Sequence, residues 1–389
     1  MTGFSEESDD IRMMRDTIRR FIADELPPEK VRQWDHDRRF PREAFRRLAA
    51  LGVCGLTVDE QYGGLGRNIV AAIAVVEELS RVSTTLAGPY IHCAFYGGVN
   101  ISEKGSPEQK QTLLPKLAAG ELLFAYGLSE PDVGGDLASV TTTADRSADG
   151  SRIIVNGAKR WCTMANVADY IYCLVRSDRA APRYRNLSLI LVPTDSPGIS
   201  LKPIEHTGIG YAETFDVVFD NVEAPESAIV GGKESWNRGW PMLVGPALDV
   251  EKLEIAAMTY GLAHAALSTA SQYAQEREQF GKPIIHHQAV GHTLADALTN
   301  LQACKHMLYH AAWLADRKAP CSVETSMAKL FVTETCEKIV LDCQKIMGAY
   351  GFAEDYAMPR HVRDILLMPV IGGSSNIQRN NISKRAGLI

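Results

Sequence analysis

Tyr126-Gly-Leu-Ser-Glu-Pro-Asp-Val-Gly-Gly-Asp136 stands where one texture of sequence ends and another begins. Its first residues read as a short strand, and Pro131 with Gly134-Gly135 read as the turn that stops it. Upstream, from about residue 7 to 120, apolar residues recur at helical spacing, as in Ile11, Met14, Ile18, Phe21 and Ile22. Turns interrupt that pattern at Glu60-Gln-Tyr-Gly-Gly and Lys104-Gly-Ser-Pro. The spacing predicts a helical bundle. Downstream, to about residue 232, the runs are short and β-rich: Ile153-Ile-Val, Tyr170-Ile-Tyr-Cys-Leu-Val, Leu187-Ser-Leu-Ile-Leu-Val and Phe215-Asp-Val-Val-Phe, each bounded by Gly, Pro, Asp or Asn.

After Gly231-Gly232 the helical pattern returns over about 234–274, 286–316, 320–347 and 374–386. The expected fold class is α+β and mainly helical. It has an N-terminal helical domain (1–120), a small middle β-domain (121–232) and a C-terminal four-helix-type domain (233–389). Strands and helices do not alternate, which excludes a doubly wound sheet.

A chain of 389 residues, 46% hydrophobic and 23% charged, is too large for one core and has the composition of a fully folded protein. Its formal charge of -6 provides no basic field for a phosphate backbone, so nucleic acid is not an expected partner. No run approaches the roughly 20 apolar residues that cross a bilayer. The start, Met-Thr-Gly-Phe-Ser-Glu-Glu-Ser-Asp-Asp, is acidic, unlike a targeting segment. A cytoplasmic location with no membrane partner is expected. The eight cysteines, at 54, 93, 162, 173, 304, 321, 336 and 343, form no Cys-x-x-Cys pair and suggest no metal site; they read as reduced, buried hydrophobes. No G-x-G-x-x-G follows a strand and no Walker-type loop occurs.

Taken singly, the remaining motifs have ordinary readings. Tyr126–Asp136 is a structural turn, the Trp in Asn156-Gly-Ala-Lys-Arg-Trp-Cys-Thr163 is core, and Arg277 in Glu276-Arg-Glu-Gln-Phe-Gly-Lys282 is a solvated helix charge. In order, and with His287-Gln288, Lys345-Ile-Met-Gly-Ala-Tyr-Gly-Phe352, Arg363-Asp364 and Gly373-Ser-Ser-Asn-Ile-Gln-Arg379, they resemble the acyl-CoA dehydrogenase family over nearly the whole chain.

The resemblance implies FAD as cofactor. Tyr126, Leu128 and Ser129 would contact its pyrimidine ring, Trp161 would cover the isoalloxazine and Thr163 would reach its reactive nitrogen. Arg277, Phe280, His287 and Gln288, with Lys345 and Gly348, would reach the diphosphate and adenosine portion from a neighbouring subunit, in a homotetramer of paired dimers. Arginine suits that task because its fork of donors fits phosphate oxygens. Ser374 and Asn376 are further cofactor candidates. Two positions depart from the family pattern, Lys345 for Gln and Ala349 for Gly.

Removing a proton beside a thioester needs a carboxylate in a water-poor pocket, while a hydride leaves the next carbon for the flavin. In much of the family that Glu precedes the C-terminal Gly-Thr, but this chain reads Ile371-Gly372-Gly373-Ser374. The isovaleryl and long-chain branches place the base on the first long C-terminal helix, in a pattern similar to Leu248-Asp-Val-Glu-Lys-Leu-Glu-Ile-Ala-Ala257. Glu251 takes that position, and Glu254, one turn on, is the rival. Gly372 would keep the backbone N–H that holds the thioester oxygen.

On the substrate side, Gly135 replaces a common Ser, Asp249 and Lys252 flank the base, and Ile371 stands where straight-chain enzymes often have Tyr. With Tyr90–Tyr96 lining the pocket, a short or branched acyl group is expected. The implied partners are an acyl-CoA and an electron-transfer flavoprotein. Three other readings stay open: an acyl-carrier-protein-linked dehydrogenase, a flavin oxidase or monooxygenase on the same scaffold, and a non-catalytic flavin-binding scaffold.

Overall fold

The structure, a computed structural model, describes residues 7–210 and 213–389. The chain begins with helices α1 (Asp9–Glu25), α2 (Pro28–Asp37), α3 (Arg42–Ala49), α4 (Ile69–Ser80), α5 (Thr84–Ile91), α6 (Asn100–Lys104) and α7 (Pro107–Ala118). α1 starts at Ser8, whose hydroxyl accepts from the Ile11 N–H, with Asp9 and Asp10 in the first turn where the helix dipole favours anions. It buries Ile11, Ile18 and Phe21, the face that the spacing marked out. α5 and α6 are joined by π-helical turns at His92–Val99, a widened geometry that recurs at functional sites.

The sheet follows as β1 (Phe124–Gly127), β2 (Thr143–Arg146), β3 (Arg152–Thr163), β4 (Tyr170–Arg176), β5 (Leu187–Pro193), β6 (Ile199–Ile204) and β7 (Thr214–Pro225). The strand order is β1-β4-β2-β3-β7-β6, and β5 pairs with β4 off that path. All four expected runs are strands. β2 (Thr-Ala-Asp-Arg) and β6 (Ile-Ser-Leu-Lys-Pro-Ile) carry too little apolar sequence to announce themselves, and pairing with longer neighbours makes them strands.

The last third contains α8 (Gly239–Leu243), α9 (Pro246–Glu276), α10 (Gln288–Asp316), α11 (Ser322–Met347), α12 (Met358–Ile365) and α13 (Ser375–Arg385). The first long helix starts later than its periodicity suggested. Gly245 breaks the pattern, and Pro246 opens the helix at its first turn, where a missing N–H costs nothing. The arrangement is α+β and mainly helical, and the sheet follows one set of helices and precedes the other along the chain.

α9 packs against α4, α10 and α11 and is buried along most of its length. The N-terminal helix is tied to this assembly by Arg15, which donates to Glu77 Oε2 at 2.9 Å and Glu78 Oε1 at 2.7 Å on α4. Tyr309 of α10 joins the same cluster through Glu77. All eight cysteines are free and buried.

Candidate active site

The Tyr126–Asp136 turn is locked to β3 through buried charges. Lys159 Nζ donates to Glu130 Oε1 at 2.9 Å and to the Leu128 carbonyl at 3.3 Å. Glu130 also accepts from the N–H groups of Thr141 (2.7 Å) and Thr142 (2.8 Å). Burial opposes its ionisation, but the Lys159 charge and these donors hold its carboxyl down at about 2. The Arg160 N–H donates to the Ser129 carbonyl at 3.0 Å, so Leu128 and Ser129 lie beside the next residue, Trp161.

Trp161 sits inside a register shift of the β3–β7 pairing, between Lys159 and Cys162, with φ at +65°. A bulge re-aims a side chain, and here it turns the indole outward, 55% exposed, with the Arg160 guanidinium 4.9 Å from the ring centroid. Thr163 follows, its hydroxyl 2.9 Å from that of Thr214. An exposed indole, a backbone edge and side-chain hydroxyls fit a planar ring with polar edges, as a flavin is. The partly buried Ser129, held by its carbonyl to Arg160, adds another hydroxyl.

Glu251 occupies the second turn of α9. A Cβ built on Gly372 would stand 3.8 Å from Glu251 Oε1 and only 1.9 Å from Ile255 Cδ1, so the two segments face each other with no room for a side chain at 372. The φ of +59° at Gly372 also favours glycine. Gln378 Nε2 donates to the carbonyls of Gly372 (3.2 Å) and Gly373 (2.8 Å), fixing the turn. The Gly372 N–H donates to no acceptor among the described residues.

Desolvation raises the Glu251 carboxyl to about 7, with the Lys252 and Lys329 ammonium groups acting against that rise. Lys329 is itself fully buried with no hydrogen-bond partner among the described residues, and burial brings it down to about 8. Glu254 is fully buried, and burial followed by the Glu251 charge pushes it well above the usual carboxylate range.

The expected acyl wall divides in two. Tyr90 belongs to the core, its hydroxyl donating to the Val53 carbonyl at 3.2 Å, and buried His92 sits with Nδ1 2.8 Å from the Phe124 carbonyl. Tyr96 alone is partly exposed in that segment, stacked on Tyr126 at 3.7 Å between centroids. Tyr126 OH in turn accepts from Asn100 Nδ2 at 2.6 Å.

Asp249 and Lys252 pair with each other at 2.8 Å, and Asp249 also accepts from Ser322 and Thr325 of α11. Gly135 lies against Ile377, 3.0 Å from a would-be Cβ, and Ile371 is partly buried beside Gly372. Ser374 forms the N-cap of α13, with Asn376 exposed in its first turn.

The remaining candidates gather elsewhere. Arg277 stands 5.7 Å from the centroid of Tyr350, which brings its segment to the turn at Gly348. The rings of Phe280 and His287 meet edge to face at 5.9 Å, Phe280 is 94% exposed, and Gln288 opens α10 as an exposed residue. Lys345 Nζ is exposed and pairs with Asp342 at 3.0 Å. Asn100, Ile255, Lys329 and Gln378 escaped sequence reasoning as site residues. Ile255 and Gln378 lay within quoted motifs, whereas Asn100 and Lys329 had no local signal because their importance depends on tertiary packing.

Family models match three consecutive stretches of the chain. These are the acyl-CoA dehydrogenase N-terminal domain over residues 8–121, the middle domain over 125–222 and the C-terminal domain over 237–387. An acyl-CoA dehydrogenase of Bacillus subtilis is 35% identical over 378 residues, covering 96% of each chain. Benzylmalonyl-CoA dehydrogenase of Aromatoleum aromaticum is 35% identical, covering 97% of this chain and 98% of its own. Among solved structures, a glutaryl-CoA dehydrogenase from Mycobacterium smegmatis in complex with FADH2 superposes with a TM-score of 0.90 at 27% identity, over 98% of this chain and 96% of that one.

Proposed function

The chain belongs to the acyl-CoA dehydrogenase family, and on that premise we propose that it oxidises a short or branched acyl-CoA, with Glu251 as the proton-abstracting base. The cofactor is FAD, which when bound accepts the hydride that leaves the β-carbon. Leu128, Ser129, Trp161, Thr163 and Tyr126 are the residues that would hold its ring.

The observation that carries the reading is the Glu251 carboxyl facing Gly372. Glu251 takes the α-proton; the unengaged Gly372 N–H receives the thioester oxygen, whose negative charge grows as that proton leaves. Desolvation places the base near working pH, where ionisation and proton affinity are both useful. The glycine at 372 is therefore a relocation of the base and no sign of lost chemistry. Asp249 and Lys252, held by Ser322 and Thr325, order the helix start that carries it and stand beside the path of the pantetheine. Gly135 lies on the carrier side, and Ile371 bounds the acyl end.

The exposed Phe280, beside Arg277 and Gly348, supports assembly into a tetramer in which this surface meets the cofactor of a neighbour. Electrons then pass to an electron-transfer flavoprotein. The test is anaerobic titration of the FAD-loaded protein with straight, branched and aromatic acyl-CoAs, following the flavin absorbance. Bleaching by a short or branched subset, lost in Glu251→Gln, is expected; a flavin that no acyl-CoA bleaches would refute acyl-CoA as the substrate.

A further inference from the structure

Glu254 lies between the two α9 residues that face Gly372, three positions after Glu251 and one before Ile255. Residues three apart are neighbours on a helix face. It is wholly buried, and neither carboxyl oxygen has a hydrogen-bond partner among the described residues. Leaving a buried polar group unpaired is costly, and more so if it is charged. Such a group in a folded protein calls for a donor from outside the chain.

A second, independent acceptor stands beside the Tyr126 hydroxyl. The Asn100 amide nitrogen donates to the Tyr96 carbonyl at 2.9 Å and to Tyr126 OH at 2.6 Å, which fixes the other end of that amide. Its Oδ1 is buried and unpartnered. After burial, the charges of Glu251 and then Glu254 act on the Tyr126 hydroxyl, so both carboxyls share the neighbourhood of the group that Asn100 holds. α9 packs there against α6 and the π-helical turns. Three acceptor oxygens thus flank the stacked Tyr96–Tyr126 wall, and neither proton abstraction nor thioester binding uses them.

We propose that Glu254 and Asn100 form a subsite for an amine nitrogen within the acyl group, so that the substrate is a compact aminoacyl thioester. A hydroxyl brings one hydrogen and no charge, so it cannot satisfy all three oxygens once Glu254 is ionised. A protonated primary or secondary amine brings two or three, and its charge is matched when Glu254 ionises. The Tyr96–Tyr126 stack keeps the space small. This inference rests on the dehydrogenase reading.

Prolyl-CoA and cyclopentanecarbonyl-CoA test it, since they differ only by a ring nitrogen in place of a carbon. With FAD-loaded protein under anaerobic conditions, prolyl-CoA is expected to bleach the flavin with a kcat/KM at least about tenfold higher. Calorimetry on Glu251→Gln, which binds without reacting, should show at least about tenfold tighter binding of prolyl-CoA and release of about one proton as Glu254 ionises. Glu254→Leu and Glu254→Gln should each collapse both preferences. Equal treatment of the two thioesters by the unaltered protein, or a preference that survives in the Glu254 variants, overturns the subsite and leaves dehydrogenation standing. A binding preference without bleaching by any thioester keeps the subsite and removes the dehydrogenase reading.

Discussion

Gly372 and Glu251 face each other so closely that a Cβ on the glycine would stand 3.8 Å from the glutamate's Oε1, with Ile255 Cδ1 filling the space where a longer side chain would go. Moving the base across this gap should therefore fail. The double variant Glu251→Gly with Gly372→Glu is expected to stay inactive, because its new carboxylate collides with Ile255. Even Gly372→Ala should lower stability by about 1–3 kcal/mol through overpacking and a strained positive φ. Urea unfolding measures the second effect and stopped-flow flavin reduction the first; a fully active double variant would show that Ile255 yields easily.

The Glu251 carboxyl at about 7 sets the direction of the pH dependence. A base works only when ionised, so flavin reduction should rise with pH through about 7 and level off above it, falling about tenfold per unit below. The charged and titratable groups around it are Lys252, Lys329, Glu254 and Tyr126. Lys329→Met removes a cation that favours the carboxylate, and the midpoint should move upward. A midpoint unmoved by that change would mean that Lys329 does not tune the base.

Arg15 bridges α1 to Glu77 and Glu78 of α4, with Tyr309 of α10 in the same cluster. Replacing it by Ala removes the cation shared by two buried carboxylates and leaves Glu77 to Arg81 and Glu78 to Arg19. The expected loss is below the roughly 3–5 kcal/mol of a wholly unpaired buried charge, read as a lower urea midpoint with an unchanged slope. Arg19, more exposed on the same helix, should cost far less because solvent screens its bridge to Glu78.

Long periodic segments made most of the fold legible in sequence. α10 and α11 have apolar faces many turns long, and β4 and β5 are nearly continuous hydrophobic runs. β2 and β6 were hidden because their strand character comes from neighbours. The site divides along the same line. Glu251 can be proposed from sequence because it stands in a recognisable pattern at a helix start, but the burial of Glu254 and Lys329 follows from how α9, α11 and the π-helical turns pack. No local signal in sequence encodes which charged residue of a helix will be sealed from water.

Phe280 offers the last test, of assembly. A phenyl ring 94% exposed, next to Arg277 and His287, is costly to leave in water and is expected to be covered by a neighbouring subunit. Phe280→Glu places a charge in that interface, where it is neither hydrated nor paired. On the proposed assembly, sedimentation should then shift from a tetramer to a smaller species, and FAD should dissociate more readily, because that proposal has the diphosphate and adenosine contacts come from across the interface. Trp161→Ala should weaken FAD binding without changing the sedimentation coefficient, since the indole belongs to the ring site of its own chain. If Phe280→Glu stays tetrameric with its flavin bound, the exposed ring is not part of the assembly surface, and the cofactor's far end must be held within one chain.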